Sequence, residues 1–272
     1  MKLLCVIYGI GRGIETSSPS INKNIIDPLR KLNIDLEVIY ILNKLDHIDN
    51  ARSGDYGPIK TVPENIFTGE ERFQMEKAEL LDQNIFNSVK KVKDVHDDGY
   101  KSYENFLCQL GMLREATKKK DFLLFDRIIM IRDDLFIESS NINMRSLIQI
   151  SEHGLVTSMW HWHGGVGERF AISKPKIALK LANRIDCVLD FTKERGYLNG
   201  EHLQKYLIDK EGESVIAFNL KLKRVRLDFI VKENFYLPIW RPFELFRVIF
   251  AVCRYNYRSF YYTYLSNLNL RS

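Results

Sequence analysis

The order of hydrophobic and polar positions divides the chain into short apolar runs and amphipathic stretches. Apolar runs at 3–8, 36–42 (interrupted by Glu37) and 128–131 are too short for helices and predict strands, and the last reads as a strand buried on both faces of a sheet. The stretch 21–32, between the first two runs, has helical spacing. Strand, helix and strand in this order indicate a parallel βαβ unit and hence an α/β fold.

The rest of the chain alternates between helical and strand patterns as far as residue 230. Helices are predicted over 70–93, 102–118, 144–150 and 175–188 and from Asn199 or Gly200 onward, and further strands over 154–159, 170–172, 214–220 and 223–230. The stretch 43–67 is polar and contains glycines and prolines, so we expect a long loop with at most one short strand. Loops of this length in compact domains usually have a function.

The apolar run at 128–131 leads directly into Arg132, Asp133 and Asp134. Open α/β sheets bind ligands in the crevice at the carboxyl ends of their strands, so both aspartates are expected at the mouth of that crevice. A metal-bound phosphate would fit there. The alternative is a solvated turn that follows an ordinary strand.

The first predicted strand ends in a glycine turn, Gly9 to Gly13, before a helical pattern. Such a turn brings backbone N–H groups close to a phosphate. The turn fits neither common nucleotide fingerprint, because Ile14 replaces the third glycine of a dinucleotide motif and no Gly-Lys-Ser/Thr follows. Arg12 can still pair with a diphosphate through its planar guanidinium, unless the glycines only permit a tight turn and Arg12 is solvated.

Two later segments have the composition of ligand loops. In 160–170, two tryptophans, two histidines and three glycines lie close together; His161 and His163 could ligate a cation with the aspartates, or hydrogen-bond to substrate or backbone. Glu201 begins a helix, where a carboxylate complements the helix dipole. The functional alternative is that Glu201 is a general base for an acceptor hydroxyl.

Composition and charge narrow the possible functions. The 272 residues are 45% hydrophobic and 28% charged, with a net charge of +5, which is ordinary for a soluble domain and weak for a nucleic-acid binder. The four cysteines are far apart and predict reduced thiols. The first residues read as a strand without a cleavage site, and no apolar run reaches a membrane span of about 18 residues, so we expect a cytoplasmic protein.

The tail differs from the rest of the chain. Residues 234–272 contain 12 aromatic residues and five arginines against one acid, Glu244. Such a segment fits a helix at a membrane surface, with its rings at the headgroup level and its arginines attracted to anionic lipid. The alternative is that the rings pack onto the domain or onto a protein partner.

Taken in order, four segments resemble bacterial nucleotide-sugar glycosyltransferases of the GT-A type, chiefly those that assemble surface polysaccharide or lipopolysaccharide. These are the turn from Gly9 to Arg12, IIMI followed by Arg132, Asp133 and Asp134, GVGERFAIS at 165–173, and NGEHL at 199–203. The similarity is patchy and runs from residue 1 to about 230. It implies a GT-A-like, Rossmann-like fold with a mixed, mostly parallel sheet flanked by helices.

The resemblance also implies roles for these residues. In that family an Asp-x-Asp motif holds Mn²⁺ or Mg²⁺ against the donor diphosphate; here Asp134 matches the second aspartate and Arg132 replaces the first. Either Arg132 supplies the positive charge, or Asp133 and Asp134 ligate the cation together. Gly9 and Arg12 would cradle the nucleotide, and Glu168 and Arg169 would line the donor sugar or the acceptor. Asp134 would act catalytically, and Glu201 would be the base of an inverting enzyme.

The sequence therefore predicts a catalytic domain at 1–232 and a basic aromatic tail at 233–272. The expected function is transfer of a sugar from a nucleotide-sugar to a saccharide or lipid-linked acceptor in cell-surface glycan synthesis, at the inner face of the membrane. The alternatives are a nucleotide-dependent phosphoryl or sulfuryl transferase and a non-catalytic binding protein built on a nucleotide fold.

Overall fold

A computed structural model describes residues 1–50, 54–138, 142–159, 162, 164–218 and 220–227. The strands are β1 Lys2–Gly9, β2 Asp35–Asn43, β3 His47–Asn50, β4 Asp55–Pro58, β5 Glu70–Met75, β6 Arg127–Arg132, β7 Leu135–Ile137, β8 Leu155–Ser158, β9 Phe170–Ser173, β10 Val215–Phe218 and β11 Leu222–Arg224. The α-helices are α1 Ile14–Ile21, α2 Asp27–Lys31, α3 Lys77–Leu80, α4 Gln83–Val89, α5 Lys101–Lys119, α6 Met144–Ile150, α7 Pro175–Ala182, α8 Val188–Arg195 and α9 Gly200–Glu211.

A seven-stranded sheet in the order β10-β8-β9-β6-β1-β2-β5 forms the centre of the fold. Its neighbouring strands are parallel except at β9, which is antiparallel to both β6 and β8. This mixed, mostly parallel sheet flanked by helices confirms the predicted fold class. β1 and β6 are adjacent and central, so the glycine turn and the two aspartates leave the sheet side by side.

Two hydrophobic cores lie on opposite faces of this sheet. In β1, Leu4, Val6 and Tyr8 point into one core, and Leu3, Cys5 and Ile7 point into the other. Successive side chains of a strand point to opposite faces, so a continuous apolar run is what a strand covered on both sides requires. α5 packs on the first face, and α1 and α2 pack on the second.

The first helical region begins earlier than predicted. The pattern placed the helix at 21–32 after a polar turn, but α1 begins at Ile14, immediately after the left-handed Gly13, and a π-turn at Asn22–Ile26 joins it to α2. Three serines that precede the predicted helix, Ser17, Ser18 and Ser20, are buried in α1. Ser20, for example, donates to the Ser17 carbonyl and accepts from the Ile137 N–H.

The helix predicted at 70–93 is wrong for its first quarter. Residues Glu70–Met75 form β5, which pairs in parallel with β2 along the edge of the sheet, and the short helices α3 and α4 follow it. Leu81 is extended between these helices, and Asp82 caps the second one through its carboxylate. Pairing with β2 thus prevails over a local pattern that had suggested a helix.

Two further predictions need correction in detail. The stretch 43–67 contains an antiparallel hairpin of β3 and β4 where one short strand at most was expected. The helix predicted at 175–188 is interrupted at Asn183 and continues, through a 3₁₀ turn, as α8. The predictions for α5, α6 and α9 are confirmed, because each predicted end lies within two residues of the observed end.

The predicted tail at 233–272 lies outside the described residues, as does the part of the predicted last strand beyond residue 227. Within the part of the chain that the structure describes, no helix is both long and apolar enough to span a bilayer.

Candidate functional site

A cavity of about 720 Å³ opens at the carboxyl ends of β1, β2 and β6. The predicted site residues among its lining come from four separate segments of the chain: Gly9, Arg12, Arg132, Asp133, Asp134, Glu168, Arg169 and Glu201. The two histidines proposed as metal ligands, His161 and His163, lie outside the described residues.

Asp133 is buried against the glycine turn. Its N–H donates to the Tyr8 carbonyl at 3.0 Å, and its Oδ2 accepts from the Gly11 N–H at 2.7 Å and from the Tyr40 hydroxyl at 2.8 Å. A Cβ at Gly9 would lie 1.8 Å from Asp133 Oδ1, so only glycine permits this packing. Burial, with the negative charge of Asp134, raises the pKa of Asp133 to about 7.

Asp134 is held between two arginines. Its Oδ1 accepts from Arg132 Nε at 3.0 Å, and its Oδ2 accepts from Arg132 Nη2 at 2.6 Å and from Arg12 Nη2 at 2.7 Å. Burial alone would raise the pKa of this carboxyl, but the charges of Arg132 and Arg12 outweigh burial and hold the pKa well below its ordinary value. Asp134 therefore stays ionised in the folded protein.

Sequence reasoning missed Asp55 and Arg226, which extend this chain of ion pairs. Asp55 lies at the start of β4, with its side chain fully buried, and its Oδ2 accepts from Arg12 Nη1 at 2.7 Å and from Arg226 Nη1 at 3.0 Å. Arg224, two residues before Arg226, also lines the cavity. Only the long-range fold brings these residues together, so no local motif marks them.

Glu168 is the next carboxylate of the site, and it packs between Arg132 and Arg184. Its Oε1 lies 3.9 Å from Arg132 Nη1, and its Oε2 lies 3.4 Å from Arg184 Nη2. Arg184 is 2% exposed and also donates to the Leu181 carbonyl at 2.7 Å. The structure thus adds Arg184 as a buried residue that positions the Glu168 carboxylate.

Glu201 occupies the first turn of α9, which is capped by Asn199 through a 2.9 Å bond from the His202 N–H. Its carboxylate lies 3.7 Å from Arg169, and its carbonyl accepts from the Val166 N–H at 2.9 Å. A second link from α9, donated by Gln204 Nε2 to the Gly167 carbonyl at 2.7 Å, fixes the helix to the segment before β9. The helix predicted to begin at Asn199 or Gly200, with Glu201 near its start, agrees with this geometry.

Positive charge exceeds negative charge along the described cavity wall. The lining contains five arginines and two lysines against five carboxylates. Burial, together with the charges of Arg12 and Arg224, lowers the pKa of Arg226 to about 10, which is the effect expected of crowded cations. The site is therefore suited to an anion.

The other part of the wall is polar but uncharged, or aromatic, and includes Asn43, Tyr103, Asn105, Phe106 and Gln109. Asn43, at the end of β2, is 3% exposed, and its Oδ1 is buried without a hydrogen-bond partner among the described residues. A buried amide oxygen without a partner is unfavourable, so a donor from a ligand would stabilise it. Such a wall fits the sugar or nucleoside part of a ligand.

The arrangement of Asp133 and Asp134 does not fit a divalent cation. Mg²⁺ and Mn²⁺ bind oxygen ligands whose lone pairs are available, whereas both oxygens of Asp134 are engaged by arginines within 3.0 Å. Oδ2 of Asp133 is engaged by two donors. No cluster of three or more potential metal ligands occurs within the described ranges of the chain.

No protein-family model and no curated protein sequence matches the chain. Among solved structures, the fold is similar to a crystal structure of mouse xyloside xylosyltransferase 1 in its apo form. The sequence identity is 12% and the TM-score is 0.42, over 79% of this chain and 84% of that chain. At this level of similarity, the activity has to be argued from the site itself.

Proposed function

We propose that the protein is a glycosyltransferase that moves a sugar from a nucleotide-sugar donor to a hydroxyl of a saccharide or lipid-linked acceptor. The observation that carries this proposal is the meeting of eight predicted site residues in one cavity at the carboxyl edge of the sheet. Open α/β sheets bind ligands at that edge, and the volume falls within the range of about 300–1,000 Å³ that is usual for small-molecule sites.

The distribution of charge in the cavity supports a nucleotide-sugar in particular. A diphosphate requires planar, multidentate donors, which the arginines around Asp55 and Asp134 offer. A sugar and a nucleoside require neutral hydrogen-bonding and aromatic groups, which line the remainder of the cavity.

In the proposed step, the oxygen of the acceptor hydroxyl attacks the anomeric carbon of the donor sugar. The bond between that carbon and the diphosphate oxygen breaks, and the leaving diphosphate takes the electron pair. The hydroxyl proton passes to Glu201, which acts as general base. Arginines stabilise the charge that develops on the leaving group. Asp134 contributes by holding Arg12 and Arg132 in place.

The setting of the reaction is part of the proposal. An acceptor in cell-surface polysaccharide or lipopolysaccharide would be reached at the inner face of the membrane. The basic aromatic tail at 233–272 would then bring the enzyme to anionic lipid. Support comes from the resemblance of four sequence segments and from the composition of the tail. Nucleic acid is not expected as a partner.

A thermal-shift panel of UDP, GDP, CMP, ATP and 3′-phosphoadenosine-5′-phosphosulfate tests this function. We expect UDP or GDP to stabilise the protein most, by about 2.7 kcal/mol at a ligand concentration of 100 times Kd. Glu201→Gln should preserve this stabilisation while abolishing sugar transfer. A preference for ATP or the phosphosulfate would favour the phosphoryl or sulfuryl transferase. No stabilisation by any member would favour a binding protein and contradict the proposal.

A further inference from the structure

We propose that this site binds the donor diphosphate through arginines alone, without a divalent cation, and that Arg226 is one of the arginines that contact it. The inference rests on the proposed function and specifies its cofactor requirement. It departs from the metal-dependent arrangement that the sequence resemblance implies.

The carboxylates of Asp133 and Asp134 are already engaged. Asp134 accepts three hydrogen bonds from guanidinium groups, and each of those groups would repel a cation placed on the same oxygens. Asp133 faces the glycine turn and accepts from a backbone N–H and a tyrosine hydroxyl. Here the carboxylate of Asp134 pairs with arginines and does not hold a metal ion.

The fold brings Arg226 to the end of the cavity that contains the glycine turn and the two aspartates. β11 pairs antiparallel with β7, which directly follows the aspartates, and the Val225 N–H donates to the Asp134 carbonyl at 2.8 Å. On the other side, Gly13 has a φ of 61°, and a Cβ there would lie 2.6 Å from the Arg226 carbonyl oxygen. The glycine turn, the aspartate turn and residues 224–226 therefore form one packed unit.

The guanidinium groups of Arg12 and Arg226 meet at one carboxylate oxygen. Arg12 Nη1 and Arg226 Nη1 both approach a single oxygen, Asp55 Oδ2, at 2.7 and 3.0 Å. The two guanidinium groups thus already converge on one anionic oxygen, which is the arrangement that a phosphate oxygen requires. Each guanidinium carries five N–H donors, so further donors remain for a ligand.

The positive charges of Arg12, Arg224 and Arg226 also favour a bound anion. Burial lowers the pKa of Arg226, and the neighbouring positive charges of Arg12 and Arg224 lower it further. A bound diphosphate would relieve this repulsion and would bring its own negative charge to a largely buried wall, where charge pairing is strong. A cation at the same place would increase the repulsion.

Calorimetric titration of the full chain with UDP, GDP and CDP tests the inference, in EDTA and in Mn²⁺ or Mg²⁺. We expect at least one of these nucleoside diphosphates to bind in EDTA with an affinity within about threefold of that in the metal. Binding that appears only with the metal would overturn the inference and leave the proposed function intact. No binding of any of the three under either condition would overturn the proposed function itself.

Variants test the role of Arg226. Arg226→Gln should weaken binding of the same nucleoside diphosphate by about tenfold or more, and Arg226→Lys should lose less because it keeps the charge. Arg195→Gln is the matched control, because Arg195 lies on α8 with its side chain 53% exposed and outside the cavity, and it should bind normally. If Arg226→Gln is folded by circular dichroism and binds like the control, Arg226 is not a ligand. If Arg226→Gln does not fold, Arg226→Lys replaces it in the titration. Normal affinity in this variant, which lacks the planar guanidinium, would contradict the proposed contact between Arg226 and the diphosphate.

Discussion

Asp133 and Asp134 are neighbours in the chain, but their surroundings drive their pKa values in opposite directions. Burial and the charge of Asp134 raise the pKa of Asp133 to about 7, whereas Arg132 and Arg12 overcome burial at Asp134 and lower its pKa. One carboxyl of the pair therefore takes up a proton readily near neutral pH, and the other keeps its charge to fix the arginines. The two side chains act differently although their residue types are identical.

Replacing each aspartate by asparagine should separate these roles. In the unfolded chain the pKa of Asp133 is near 3.9, below its value in the folded protein. The folded state therefore retains a proton that the unfolded chain releases, and the free energy of unfolding falls as the pH rises from about 4 to 7. Asp133→Asn cannot titrate, so its stability relative to wild type should rise between pH 5 and 8. Asp134→Asn removes the buried carboxylate that Arg12 and Arg132 share and should lose about 3–5 kcal/mol at pH 7.

Urea unfolding of both variants at pH 5, 6.5 and 8 measures these differences. A constant offset between Asp133→Asn and wild type across the three pH values would contradict the raised pKa. An Asp134→Asn protein as stable as wild type at pH 7 would contradict the ion-pair network.

At the residue scale, the sequence predicted where the apolar strands end. It did not predict which residues from distant segments pair with the side chains at those ends. Asp133, Asp134 and Arg12 could be found because a buried strand must release its chain at the edge of the sheet. Asp55, Arg184 and Arg226 could not, since each is brought to the site by a contact more than 15 residues away in sequence. Their burial in ion pairs has no local signature.

At the element scale, the elements best predicted were those whose own hydrophobic pattern decides their structure. β1, β2 and β6 are covered on both faces, so an apolar run identifies them. β5 lies at the edge of the sheet with only one buried residue, Met75, and its polar sequence resembles a helical surface. The hairpin of β3 and β4 was missed because it is held by Asp55 and not by an apolar run.

The elements also explain why the site is rigid at one end. The turns after β1 and β6 and residues 224–226 are joined by hydrogen bonds and by two glycines that admit no side chain. Sites held by elements in this way keep their donors in place before the ligand arrives. The order of these three segments is set by the sheet topology, which the sequence predicted only as mostly parallel.

At the scale of the whole molecule, the excess of positive charge is divided between the cavity and the tail. Residues 234–272 contain five arginines and one acid, which supplies most of the net charge of +5. If the tail holds the enzyme at anionic lipid, deletion of residues 241–272 should shift the protein from the membrane fraction to the soluble fraction. High salt should release the full chain similarly, because the attraction is partly electrostatic.

Cofractionation with vesicles that contain or lack anionic lipid measures this effect. Unchanged partitioning of the truncated protein would contradict the membrane role of the tail. The truncated protein should retain nucleotide binding in either case, because the described residues that line the cavity all precede residue 227.

The central claim, transfer of sugar from a nucleotide-sugar, is tested most directly by release of free nucleotide from a panel of UDP-, GDP- and CMP-linked sugars. The account predicts that one UDP- or GDP-sugar releases its diphosphate, in EDTA as in Mn²⁺, and that Glu201→Gln and Asp134→Ala lower this turnover by about 100-fold or more. Arg195→Gln should match the wild type. Release of no nucleotide from any donor, with a soluble saccharide or a lipid extract as acceptor, would contradict the account.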